Sequence, residues 1–171
     1  MSIPYIAQAG EHERLEWLGG GVMRILLDAE KTDGQAALIR SDAMGGSASP
    51  VHVHDDEDED EVIVLLSGSG VFWAGDQRYE LTDGGVAFLP RKVPHAYRFT
   101  STTVDMLAVC LPAGAETFFR TAGWDLSRPK PEGWQLTPAA LAAAAAATGQ
   151  TILGPPLSAD AMMPAGYLER L

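Results

Sequence analysis

The chain has 171 residues, of which 46% are apolar and 20% charged, and a formal net charge of −11. This is ordinary globular usage in a length that suits one domain and buries a core without staples. The charge repels nucleic-acid phosphates and anionic lipid, so both are disfavoured as partners and a small molecule is the expected one.

The first thirty residues include Glu11, His12, Glu13, Arg14 and Glu16 where a signal peptide needs a continuous apolar stretch. The long apolar run 138–147 is mostly alanine and falls far short of the roughly 20 residues a bilayer requires. Cys110 is the single cysteine, and its place in the apolar stretch 106–111 reads as a buried structural thiol. Without an export signal or a disulfide pair, the expected compartment is the cytoplasm.

In chain order, runs of apolar and β-branched residues predict strands at 23–27, 36–43, 51–54, 61–66, 71–74, 77–81, 86–89, 95–99 and 104–111. Turn signals separate them: Asp33-Gly34, Gly68-Ser69-Gly70, Gly75-Asp76 and Asp83-Gly84-Gly85 all tolerate positive φ. Many short strands with such punctuation mark an all-β sandwich or barrel. After Pro112 the composition turns helical at 113–121 and 137–148. The second helix has Thr137 as N-cap, Pro138 at its first position and Gly149 beyond its end. A proline-containing connector occupies 125–133, flanked by Trp124 and Trp134, which are expected to pin the tail to the barrel. Residues 152–171 read as an extended arm. The expected organisation is one domain over 1–171, with a barrel core at about 22–111 and a helical tail at 112–171.

Three of the four histidines, His52, His54 and His95, fall in the β region. Side chains two apart on a strand share a face, so His52 and His54 can aim both imidazoles at one point while Val53 faces away. Imidazoles with a carboxylate form a site for Mn, Fe, Co, Ni, Cu or Zn without choosing among them. The acidic run 55–61 leads into the next strand, which Glu61 opens. Asp55, Asp56, Glu57, Asp58 and Asp60 read as a solvated loop, with a weak calcium site as the lesser alternative. His12, in a charged N-terminal segment, is expected to be exposed. Phe72, Trp73, Tyr79, Phe88, Met106 and Phe118 read as core or dimer-interface residues.

The pattern Gly46-x5-His52-x-His54, then Glu61-x6-Gly68, then Gly84-x5-Pro90-x4-His95 resembles the two motifs of the cupin superfamily. Looser similarity, through Lys31-Thr32-Asp33-Gly34 upstream and Leu111-Pro112-Ala113-Gly114 with Phe118-Phe119 downstream, points to the quercetin 2,3-dioxygenase-like single-domain cupins. The resemblance implies a jelly-roll barrel (a double-stranded β-helix) holding one divalent transition metal on His52, His54, Glu61 and His95. It also implies a metal-dependent dioxygenase acting with O2 on a flavonol-like or other enolisable aromatic molecule, with Glu61 as proton acceptor. The alternatives are a non-redox isomerase, cyclase, lyase or decarboxylase using the same metal, and a non-catalytic small-molecule-binding barrel. A homodimer is expected, through the strand at 23–27 and the C-terminal arm.

Three positions depart from the motifs. Six residues separate His54 from Glu61, so counting forward from His54 selects Glu59 and counting back from Gly68 selects Glu61. Both have the same strand parity, and Gly68 fixes the hairpin register more directly, which favours Glu61. Lys92 stands where the second motif usually has glycine, an obstacle if the turn needs positive φ. Phe99 stands where asparagine is common; it shares parity with His95 and Tyr97, so Tyr97 and Phe99 are expected to give the substrate pocket an aromatic wall.

Overall fold

In a computed structural model, residues 4–54 and 59–169 are described. Nine predicted strands are present. They are β2 (Val22–Leu27), β3 (Ala37–Met44), β4 (Val51–His54), β5 (Asp60–Ser67), β6 (Gly70–Ala74), β7 (Gln77–Leu81), β8 (Val86–Leu89), β9 (His95–Phe99) and β10 (Thr103–Leu111). Three further strands escaped the sequence reading: β1 (Glu13–Glu16), β11 (Trp124–Asp125) and β12 (Gln150–Gly154). Each is short or polar and gains its identity only from the neighbour it pairs with: β1 with β2 and β11, and β12 with β4.

Among the described residues the strands form two antiparallel sheets, one in the order β11-β1-β2-β3-β10-β5-β8 and the other β12-β4-β9-β6-β7. Alternation sets which residues face inward. In β5, Glu61, Ile63 and Leu65 are buried while Val62 and Val64 are half-buried. In β10, Val104, Met106, Ala108 and Cys110 take the inner positions. The interior between the sheets is filled by Ile63, Leu65, Phe72, Leu89, Phe99 and Met106 at one end. At the other, Met23, Ile25, Ile39 and Ala108 pack with the helical tail. Cys110 is 1% exposed and burial pushes its thiol well above the ordinary range, as expected of an unreactive core cysteine.

Among the described residues four α-helices accompany the sheets: α1 (Ala29–Thr32), α2 (Ala115–Ala122), α3 (Pro138–Ala147) and α4 (Ala165–Leu168). The Thr137 hydroxyl accepts from the Ala140 N–H at 3.2 Å, and Gly149, at φ 73°, ends the segment as its composition predicted. No helix among the described residues is long and apolar enough to cross a membrane. Trp124 and Trp134 do meet across the connector, ring centroids 5.7 Å apart, and Trp124 sits in β11 against β1.

Several expectations are corrected. The strand at 23–27 is no sheet edge, since β2 pairs with β1 on one side and β3 on the other. Residues 152–169, within the stretch read as an extended C-terminal arm, are tied to the second sheet. They begin inside β12, and the segment beyond lies over the outer face of the second sheet, where Leu157 and Met163 pack on Val51, Val71, Trp73 and Ala96. Side chains anchor it there. The Trp73 indole N–H donates to the Ala161 carbonyl at 2.9 Å, and Arg78 donates to the Ala159 carbonyl at 2.8 and 2.9 Å. His12 is half-buried rather than exposed. Asp60 is not free in solvent: it accepts from the Arg91 backbone N–H and holds its guanidinium at 3.0 Å. Residues 55–58, with the calcium alternative placed on them, lie outside the described residues.

Candidate metal centre

Strands β4 and β9 lie side by side with His52 and His95 as direct partners. His54 follows on the same face two residues later, so all three imidazoles enter the space between the sheets. Their ring centroids are 4.3 Å (His52–His95), 4.9 Å (His54–His95) and 5.3 Å (His52–His54) apart. One ring nitrogen of each lies within 4.8 Å of the others.

The tautomers follow from the hydrogen bonds. His52 Nδ1 faces the Pro50 carbonyl at 2.9 Å, His95 Nδ1 the Val93 carbonyl at 2.8 Å and His54 Nδ1 the Glu59 carbonyl at 3.2 Å. A carbonyl can only accept, so each neutral ring carries its proton on Nδ1 and keeps a lone pair on Nε2. Burial keeps the rings neutral: it holds the His52 pKa down at about 4, lowers that of His54, and, with repulsion from the other two rings, pushes His95 well below its ordinary value. His95 Nε2 is fully buried and has no hydrogen-bond partner among the described residues. A buried lone pair without a donor is costly, and its lying within 4.8 Å of a ring nitrogen of each of the other two histidines fits a divalent metal ion better than any partner among the described residues.

Two carboxylates flank the cluster from the other sheet's side. Glu61, on β5, places Oε2 3.9 Å from His95 Nε2, on the side of the open nitrogen. Burial raises its pKa to about 7. Glu59, 7% exposed, approaches His54 from behind, with Oε1 3.5 Å from Nδ1. Tyr97, from β9, has its phenol pushed above the ordinary range by burial and by the nearby Glu61 carboxyl, so it remains a proton donor. Phe99 lies one ring further along, 4.9 Å from Tyr97, packed among Ile63, Leu65 and Phe72. It lines a separate small cavity with Trp17 and Ser41 rather than the space beside the histidines.

Lys92 adopts φ 64°, so the turn before His95 does require the left-handed conformation that glycine would take freely. Its N–H donates to the His54 carbonyl at 2.9 Å, which ties this turn to the end of β4.

His52, His54, Glu59, Glu61 and Tyr97 line one end of a chamber of about 60 Å³, with His95 fully buried behind it. Its other walls are apolar and come from elements that motif reading did not connect to the site: Trp17, Phe118 and Phe119, in mutual edge contact at 5.0–5.6 Å, with Leu141 and Ala145 of α3 and Ile152 of β12. An adjoining cavity of about 290 Å³ shares His54 and Glu59 with Thr117, Thr148 and Gln150, between α2 and α3. The paired Phe118-Phe119 on a short amphipathic helix was the one available signal that the tail helps to build the chamber.

Comparison with known proteins supplies the family context. Residues 40–112 match the family described as the cupin domain. Quercetin 2,3-dioxygenase of Bacillus subtilis (strain 168) is 32% identical over 122 residues, 71% of this chain, but the chain spans only 35% of that enzyme's length. A predicted oxalate decarboxylase from Thermotoga maritima, 27% identical, superposes with a TM-score of 0.54 over 63% of this chain and 99% of its own. An RmlC-like cupin from Shewanella frigidimarina, 17% identical, superposes with a TM-score of 0.56 over 68% of this chain and 98% of its own. The chain therefore has the cupin fold, carries a cupin domain over residues 40–112, and resembles the quercetin 2,3-dioxygenase-like cupins.

Proposed function

We propose that this chain is a metal-dependent dioxygenase that uses O2 on a compact, enolisable aromatic molecule, with His52, His54, His95 and Glu61 holding one divalent transition metal. The observation that carries the reading is the fully buried Nε2 of His95, without a hydrogen-bond partner among the described residues, beside two more imidazoles whose Nδ1 atoms are already committed. When bound, such an ion supplies Lewis acidity toward a substrate oxygen.

The chain's own groups do the rest. Glu61, with Oε2 3.9 Å from His95 Nε2, is placed to accept the substrate's hydroxyl or α-carbon proton. The Tyr97 hydroxyl, kept protonated, donates to the oxygen left behind. Trp17, Phe118 and Phe119 give an aromatic ring a wall to lie against and keep bulk water from the electron-rich anion. The chamber and the adjoining cavity together reach only the lower end of ordinary ligand pockets, roughly 300–1,000 Å³, which favours a small substrate or one that projects between α2 and α3.

The test has two stages. Protein purified without added metal is analysed for bound ions and titrated with Mn, Fe, Co, Ni, Cu and Zn. One ion per chain is expected, His95→Ala should lose it, and absence of binding by every one of these ions would remove the metal centre. Phenolic and flavonol candidates are then followed in an O2 electrode. Glu61→Gln should remain folded, bind metal more weakly and lose most turnover; unchanged turnover takes the glutamate out of the reaction.

The 27% identity to a predicted decarboxylase and the small chamber favour a second reading, a non-redox lyase or isomerase at the same site. A flat O2 trace while substrate disappears selects it.

A further inference from the structure

The chamber beside the histidines and the larger cavity between α2 and α3 meet at His54, Glu59 and Gln150, which line both. Of these, Gln150 has no place yet in the chemistry. It opens β12, and the register sets it directly opposite His54 of β4. Cross-strand partners present their side chains on one face of a sheet, so the amide enters on the histidine side. It is half-buried and makes no side-chain hydrogen bond among the described residues. An amide carries two N–H donors and an acceptor oxygen, and a ligand that sealed them from water without pairing them would bind poorly.

On the reading that the histidines hold a metal with the substrate's aromatic head beside it, we infer that Gln150 determines specificity by hydrogen-bonding a neutral, hydroxyl-bearing arm of the substrate in the cavity between α2 and α3. The other walls select this chemistry. Thr148 spends its hydroxyl proton on the Ala144 carbonyl at 2.8 Å, so toward a ligand it can only accept. Glu59 adds its carboxyl group to the same wall. An arm that donates therefore finds acceptors at Gln150, Thr148 and Glu59. An anionic arm does not, because no lysine or arginine lines the cavity among the described residues and the chain carries a net charge of −11. The start of α2, which would otherwise attract an anion, is taken by Glu116: its Oε2 accepts from the Gly114 N–H at 2.9 Å and its Oε1 from the Ala29 N–H at 2.9 Å. A purely apolar arm would strip water from these polar groups and return no hydrogen bond. Thr117 and Ala147, both exposed, line the cavity as well, so it is open to solvent on that side.

The experiment is isothermal titration calorimetry of the full chain, metal-free and zinc-loaded, with 4-(2-hydroxyethyl)catechol, 4-ethylcatechol and 3,4-dihydroxyphenylacetate. The three share one metal-binding end and differ in the arm. Wild-type protein should bind the hydroxyethyl compound about tenfold more tightly than the ethyl compound, and the acetate most weakly of the three. Gln150→Leu, which keeps the bulk of the side chain and removes its polar atoms, should bring the first two within about twofold of one another. Circular dichroism with a thermal melt verifies that the variant folds. Ala147→Phe, at an exposed position, fills the cavity from the α3 side and should weaken the hydroxyethyl compound about tenfold relative to unsubstituted catechol. A wild-type ratio near one, a preference for the acetate, a ratio that survives Gln150→Leu, or binding of none of the three overturns the inference. Failure of the metal reading is separate: it shows as protein that takes up no zinc, with all three compounds weakened alike and their ratios unchanged.

Discussion

Val71 and Trp73, outward-facing residues of the small sheet, are 3% and 0% exposed, whereas Val86 and Phe88, outward-facing residues of the large sheet, are 57% and 60% exposed. Both sheets carry apolar residues on their outer faces, but only the small sheet's are covered among the described residues. The small sheet obtains its cover from residues 155–168 of its own chain, fastened by the Trp73, Arg78 and Arg98 donors to backbone carbonyls. The large sheet has no such cover among the described residues. The inner faces differ as well: the small sheet brings the three histidines and Tyr97, and the large sheet brings Glu61. The contrast teaches that apolar outward residues do not by themselves reveal what covers them, and that substitutions can separate cover by the same chain from cover by a partner.

The largest effect is expected at Trp73. Trp73→Ala removes a fully buried ring and its bond to Ala161, and should cost about 3–5 kcal/mol in urea unfolding at any protein concentration. Phe88→Ala, assayed in protein dilute enough to be monomeric, should cost less than about 1 kcal/mol. Equal losses at the two sites would erase the distinction between the faces.

Next comes Glu61, which opposes the histidines in the metal-free protein. Its folded pKa near 7 against an ordinary 4.5 means that the folded state keeps a proton the unfolded chain has released, so its contribution is lost as pH rises from 4.5 to 7. His52, held at about 4 against 6.5, contributes stability that is present above pH 6.5 and lost as pH falls toward 4; His54 and His95 act in the same direction. Glu61→Gln should therefore make chelator-treated protein about 3 kcal/mol more stable at pH 8, and steepen its loss of stability between pH 6.5 and 4. Denaturant melts across that range check both signs.

Two smaller effects complete the series. Thr137→Ala, which removes the cap of the helix roofing the chamber, should cost about 1 kcal/mol. Met162→Gln, 59% exposed although it lies in the covering segment, should change stability by no more than about 0.5 kcal/mol. A larger loss at Met162 would mean that position along the cover, rather than burial, governs the cost.

Much of the site was legible before the structure because a strand repeats every two residues. His52 and His54 had to share a face, and parity alone sent Ile63 and Leu65 inward with Glu61. Parity could not separate Glu59 from Glu61, which have the same phase. In space the two take different places: Glu61 Oε2 lies 3.9 Å from His95 Nε2 and Glu59 Oε1 3.5 Å from His54 Nδ1. Phe99 exposes the limit of the same rule: it shares a face with Tyr97, yet it lies deeper in the barrel and packs into the core.

From the sequence alone came nine strands of an all-β sandwich or barrel, the helical stretch at 137–148 and the histidine pair on one strand face, because local periodicity and turn chemistry are written within a few residues of one another; the jelly-roll architecture was what the resemblance to cupins implied. Only the tertiary structure decided that β2 is an interior strand, that the C-terminal segment covers Val71 and Trp73, and that Trp17, Phe118 and Ile152 meet beside the histidines. Those outcomes depend on contacts between residues dozens of positions apart, and a pattern read along the chain does not record which neighbour an apolar face will find.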